Sequence, residues 1–194
     1  MTVSYVKSAK AKGYLRIGIN TSFGKSEFTV SEKDFRAAGG FAVGDNLTRD
    51  TFEFLSCSDM EYKAKAKALR ILCYGDNSER MLMRKLTSSG ISKNVAEKTV
   101  SEMVSLGYIN ASRQLELLIT NEVRLHNSGP RKIVQKLIAK GYNAKDITEK
   151  ISELQRQGEI DFEMAKERLK ESKLAGRSDT EEVKKLLYKN GYFV

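Results

Sequence analysis

Two hydrophobic periods divide the chain. Leu15, Ile17 and Ile19 alternate with Tyr14, Arg16, Gly18 and Asn20, a period of two that predicts a half-buried strand. Thr21 to Lys25, with Gly24 inside it, predicts a hairpin turn, and Glu27-Phe28-Thr29-Val30 the returning strand. Ser31-Glu32-Lys33-Asp34 has the composition of a helix cap, for a short helix from Asp34 to Ala38 that Gly39-Gly40 stops. Phe41 to Val43 and Leu47 to Phe54 fit a strand or a helix equally. Two or three strands alone are marginal in water. Residues 1–60 are therefore expected to form a small β-rich N-terminal domain that packs on something else.

From Glu61 onward the period is helical. Ala64, Ala68, Leu69, Ile71 and Leu72 fall on one side of a helix. Gly75-Asp76-Asn77 reads as a turn, and Ser78 as the N-cap of a helix that runs to Ser89. Ser92 opens the next, where Val95, Ala96, Thr99, Val100, Met103 and Val104 keep one stripe. Further helices are expected over Ser112–Asn127, Pro130–Lys140 and Ala144–Gln157, the last with Ile147, Ile151 and Leu154 facing inward. Phe162, Ala165 and Leu169 mark another. A break is expected at Ala175-Gly176-Arg177, and Ser178-x-x-Glu181 has capping-box spacing for the final helix.

The helical part repeats itself. Its best-formed stretch is Arg124 to Tyr142, where the chain's only proline, Pro130, sits at a first helical position that needs no amide donor. Ile133, Val134, Leu137 and Ile138 form an apolar stripe, Lys132, Lys136 and Lys140 a basic one beside it, and Gly141 ends the helix. Lys85-Leu86 through Gly90-Ile91 lies 51 positions before Lys136-Leu137 through Gly141-Tyr142, and Leu186-Leu187 through Gly191-Tyr192 lies 50 positions after it. Leu106-Gly107-Tyr108-Ile109-Asn110 and Gln157-Gly158-Glu159-Ile160-Asp161 are again offset by 51. Two markers at one period define three-helix repeats over residues 61–110 and 111–161 and a partial third over 162–194. The expected fold is mainly α, tandem three-helix repeats stacked into an elongated curved body.

The order of these motifs resembles the RecX family of regulatory proteins. The residues that carry the likeness are Ser78, Leu82, Leu86 and Gly90, then Leu106 to Asn110, then Arg124, Gly129-Pro130, Ile133, Leu137 and Gly141. It covers residues 64 to 192. It implies tandem three-helix repeats, with the N-terminal extension of longer members. It also implies a function: binding the RecA recombinase, chiefly as a filament on single-stranded DNA, by lying in the filament groove. The effect implied is modulation, mainly inhibition, of recombination and ATP turnover, hence a part in DNA repair, recombination and the SOS response. Gly75 and Met81 stand where the family usually has an arginine and an acidic residue around Ser78.

Charge sharpens this picture. Residues 1–60 hold 8 Lys/Arg and 7 Asp/Glu, whereas residues 61–194 hold 26 and 18, so most of the net charge of +9 belongs to the repeats. A basic helical body suits a polyanion or an acidic protein groove. There is no run of 18 apolar residues, the first ten residues lack a signal-peptide core, and Cys57 and Cys73 form no CxxC pair. A reduced, cytoplasmic protein is the expectation.

Enzyme chemistry finds little support. No G-x-x-x-x-G-K-[ST] is present, His126 is the only histidine, and Glu116/Glu122 and Glu181/Glu182 read as ion-paired helix faces. We expect no catalytic residue, no cofactor and no metal. The candidate partner-binding residues are instead basic: Arg124, Arg131, Lys132, Lys136 and Lys140 around one helix, with Arg84, Lys85, Lys184 and Lys185 in the corresponding places of the flanking repeats. Because Arg131, Lys132 and Lys136 lie off the apolar stripe, their removal is expected to leave the fold intact. The alternative use of the same stripe is a free-standing nucleic-acid-binding module that contacts phosphates directly. Tyr108, Tyr142 and Tyr192 end repeats, where packing at the turn competes with base stacking.

Overall fold

The computed structural model of the chain describes residues 1–174 and 180–193. The break expected at Ala175-Gly176-Arg177 and the cap expected at Ser178 lie outside the described residues. Two compact units emerge, residues 1–74 with 83–102, and residues 75–82 with 103–194.

The first unit is built on three antiparallel strands in the order β1 (Thr2–Ser8), β2 (Tyr14–Thr21), β3 (Gly24–Ser31). The hairpin β2–β3 pairs Ile17 with Phe28 and Leu15 with Val30, as the period of two predicts. β1 was not expected. Its register shifts between Val3 and Tyr5, so Val3 and Val6, three apart, both reach the core and the alternation is hidden. Ser31 caps α1 (Glu32–Ala37), its Oγ accepting the Asp34 N–H at 3.0 Å.

α2 (Arg49–Cys73) resolves the ambiguity at Leu47 to Phe54 in favour of a helix. Thr48 accepts the Thr51 N–H at 3.2 Å and starts it. Position 60, the expected end of the N-terminal domain, falls inside this helix, and helix begins well before Glu61. Val3, Ile17, Ile19, Phe28, Val30, Leu47 and Leu55 form the core beneath the sheet, with Phe52 edge-on to Phe28. Asp59 of α2 is 4% exposed. Its carboxylate accepts the Thr29 N–H of the edge strand at 2.9 Å and pairs with Lys63 at 2.6 Å. An edge amide that would otherwise invite another strand is thereby occupied.

α3 (Glu79–Ser88) and α4 (Lys93–Ser105) follow, and the division between the units passes through both. The second unit holds α5 (Ala111–Arg124), α6 (Pro130–Ala139), α7 (Ala144–Arg156), α8 (Phe162–Leu174) and α9 (Thr180–Lys189). Its core gathers Leu115, Ile119, Val123, Ile133, Leu137, Ile147, Ile151, Leu154, Leu169 and Leu187. Ile138 departs from expectation: it is 43% exposed, because the buried strip of α6 runs through Ile133 and Leu137 and does not widen to the next residue round the helix. Leu69 and Val104 turn outward in the same way. No helix among the described residues is long and apolar enough to cross a membrane.

Candidate interaction surface

α6, the second helix of the middle repeat, is contacted at both ends, at its end by the start of α3 and at its start by the end of α9. Ser78 occupies the position equivalent to Gly129. Its hydroxyl donates to the Lys140 carbonyl at 2.6 Å while capping the Met81 N–H. One repeat later, the Gly129 N–H donates to the Asn190 carbonyl at 2.7 Å and the Arg131 N–H to the Gly191 carbonyl at 3.1 Å. Lys140 and Asn190 each precede a glycine that ends a second helix. The start of one second helix is thus clasped to the end of the next, twice.

Only glycine fits the later clasp. Gly191 has φ +87°, and a Cβ there would stand 2.4 Å from the Lys132 amide nitrogen. A Cβ on Gly129 would stand 2.6 Å from the Gly191 carbonyl carbon. Tyr192 closes the arrangement: it is 1% exposed, and its hydroxyl donates to the Asn127 carbonyl at 3.1 Å. Burial pushes its phenol up to about 12. Tyr142, also buried, donates to the Gln114 amide oxygen at 2.8 Å. Both tyrosines therefore pack between helices, whereas Tyr108 is 54% exposed.

The candidate residues separate into two groups. Lys132 reaches the Asn190 side-chain oxygen at 2.9 Å. Burial, reinforced by Lys136 and Lys189, lowers its ammonium pKa against the pull of Glu122. Lys136 meets the Glu122 carboxylate at 2.6 Å, and the Ser128 hydroxyl donates to the same oxygen at 2.8 Å. Burial alone raises the Glu122 carboxyl, but these two hydrogen bonds and the charge of Lys136 outweigh it and hold it below the ordinary carboxylate range. Arg131 lies over the Tyr188 ring at 4.9 Å and the Phe193 ring at 5.6 Å. Arg124 donates to the Glu159 carbonyl at 2.8 Å and its carboxylate at 3.3 Å. Arg131, Lys132 and Lys136 lie off the buried strip of α6, as expected, but Lys132 and Lys136 each hold a polar partner that the apolar stripe does not reveal.

Lys140, Lys184 and Lys185 form the second group, exposed and with no carboxylate partner among the described residues. Arg84 and Lys85 are exposed on the part of α3 that belongs to the first unit. Tyr188 and Phe193 escaped the sequence reading, although an aromatic such as Tyr188 set among lysines on a wet helix face was a signal. His126 is exposed, and no group of three or more metal-ligating side chains occurs among the described residues.

No family model matches the chain. It is 32% identical over 121 residues to a protein of Clostridioides difficile (strain 630) named Regulatory protein RecX, covering 62% of this chain and 57% of that relative. A protein of the same name from Lactobacillus gasseri is 26% identical over 159 residues, covering 82% of this chain and 57% of the relative. The chain thus spans a little over half the length of these curated relatives. A crystal structure of a regulatory protein RecX superposes with a TM-score of 0.75 at 17% identity, over 99% of this chain and 94% of the other. That likeness bears on the fold: a helical repeat body with a small three-stranded N-terminal sheet.

Proposed function

We propose that this chain, a homologue of the RecX regulatory proteins, binds the RecA recombinase in its filament groove and modulates, mainly inhibits, recombination and ATP turnover. Its relatives are named regulatory proteins, and we assign it a mechanism of occupation with no covalent step. The observation that carries the reading is the tandem clasp of α6. A repeat body joined at corresponding positions, once through the Ser78 hydroxyl and once through backbone amides, suits a partner that itself repeats. Lys140, Lys184 and Lys185 leave their charges to solvent at the ends and wet faces of the second helices. Such charges steer association with an anionic surface. We place the protein in the cytoplasm, with roles in DNA repair and the SOS response.

The deciding experiment measures recombinase ATPase and strand exchange on single-stranded DNA with and without this chain. Inhibition that saturates with added chain is expected; unchanged rates at saturating chain would end this reading. A second reading has one observation in its favour. Tyr188 and Phe193 are 63% and 77% exposed beside Arg131, and exposed rings next to a guanidinium can stack on unpaired bases. Tight, saturable binding to single-stranded DNA at moderate salt with no recombinase present would favour that module instead.

A further inference from the structure

A groove in the first unit plays no part in the reading above. One wall is α2, which presents Met60, Lys63 and Lys67 along a single side, as three- and four-residue steps do on a helix. The other wall is the turn from α3 into α4, with Ile91 before α4 and Val95 in its first turn. Its volume is about 310 Å³. The space beside Gly90 is open, since a Cβ there would meet nothing within 4 Å. Met60, Ile91 and Val95 make the floor apolar.

The charge of the groove is one-sided. No carboxylate lines it. Lys63 is held by Asp59 at 2.6 Å with its side chain still 65% exposed, and Lys67 has no ion-pair partner among the described residues. The first turn of α4 carries no acidic residue, so no carboxylate of that turn offsets the partial positive charge of the helix start. A phosphate backbone gains from a long run of cations and nothing from an apolar floor. A peptide that alternates carboxylates with apolar side chains matches both features.

We propose that this groove binds an acidic, apolar peptide segment of a partner protein. One aliphatic or aromatic side chain rests on Met60, Ile91 and Val95, and a neighbouring carboxylate meets Lys67 and the N-terminus of α4. The site stands apart from the second-unit lysines, and its test contains no recombinase. The full chain, labelled with nitrogen-15, is titrated with three ten-residue probes: one alternating Asp/Glu with Leu/Phe, one with Ser replacing Leu/Phe, and one with Lys replacing Asp/Glu. The first probe is expected to shift the amide signals of Lys67, Ile91, Ser92 and Val95, and the other two to bind far more weakly. Lys67→Glu should weaken the first probe on the order of tenfold, because it turns an attraction into a repulsion at the rim. Lys10→Glu, on the loop after β1, should leave it unchanged. Lys67 holds no carboxylate partner here, so the melting temperature of the variant should match the parent and keep the comparison valid. The proposal falls if the first probe shifts none of these amides, if Lys67→Glu binds it as the parent does, if the Ser probe binds equally, or if a single-stranded oligonucleotide displaces it from the same amides.

Discussion

Leu137 is 1% exposed between α6 and the rest of the second unit, so Leu137→Ala should cost about 2–5 kcal/mol in a urea melt. A change within error of zero would mean that α6 is not seated on that core. The charged neighbours follow a different logic. Glu122 is held below its ordinary value of 4.5, so its contribution is complete above that pH and is lost as pH falls through the lower folded value. The Tm gap between the parent and Glu122→Gln should therefore be largest near neutral pH and close on acidification; a gap that does not change with pH would show that Lys136 and Ser128 do not favour the charged form. Leucine spacing made Leu137 legible as core from sequence alone. The roles of Lys132 and Lys136 were not legible: each is one lysine in a regular stripe, and their partners lie 58 residues ahead and 14 residues behind.

At the scale of elements, the glycines that end α6 and α9, Gly141 and Gly191, were visible as punctuation, but not their second duty against a neighbouring helix start. A left-handed glycine is read as a stop signal whatever stands beside it. Gly107 and Gly191 separate the two duties. Both have positive φ, but a Cβ on Gly107 would meet nothing within 4 Å, whereas on Gly191 it would press on the Lys132 backbone. Gly107→Ala should cost only about 1–2 kcal/mol, the left-handed penalty for an L-residue. Gly191→Ala should cost that and roughly 1–3 kcal/mol more for the overlap, because the neighbour is backbone and cannot swing away. Equal losses in parallel denaturant melts would show that the clasp yields. Strands and helix starts were legible where one period ran unbroken. They were lost where local structure broke it: the bulge in β1 set Val3 and Val6 three apart, and Phe52 and Phe54 mimicked strand alternation inside α2.

For the whole molecule the question is which cations can be removed without touching the fold. Replacing Lys132 or Lys136 would confound binding with stability, since each holds a partner in the second unit. Replacing Lys140, Lys184 and Lys185 together with Ala does not, because all three are exposed and none has a carboxylate partner among the described residues. The Tm should stay within about a degree or two of the parent, as surface changes away from such contacts usually alter stability by less than about 0.5 kcal/mol. Binding to a recombinase filament should weaken and its dependence on salt should flatten, since each lost cation removes attraction to an anionic groove. Association should slow more than dissociation quickens if these lysines act by steering. Inhibition of strand exchange should fall in step with binding, because occupation is the whole of the proposed mechanism. A triple variant that inhibits as well as the parent would reduce these lysines to a solvated face. Arg84 and Lys85 of α3, replaced in a second variant, would then be the next basic candidates to test.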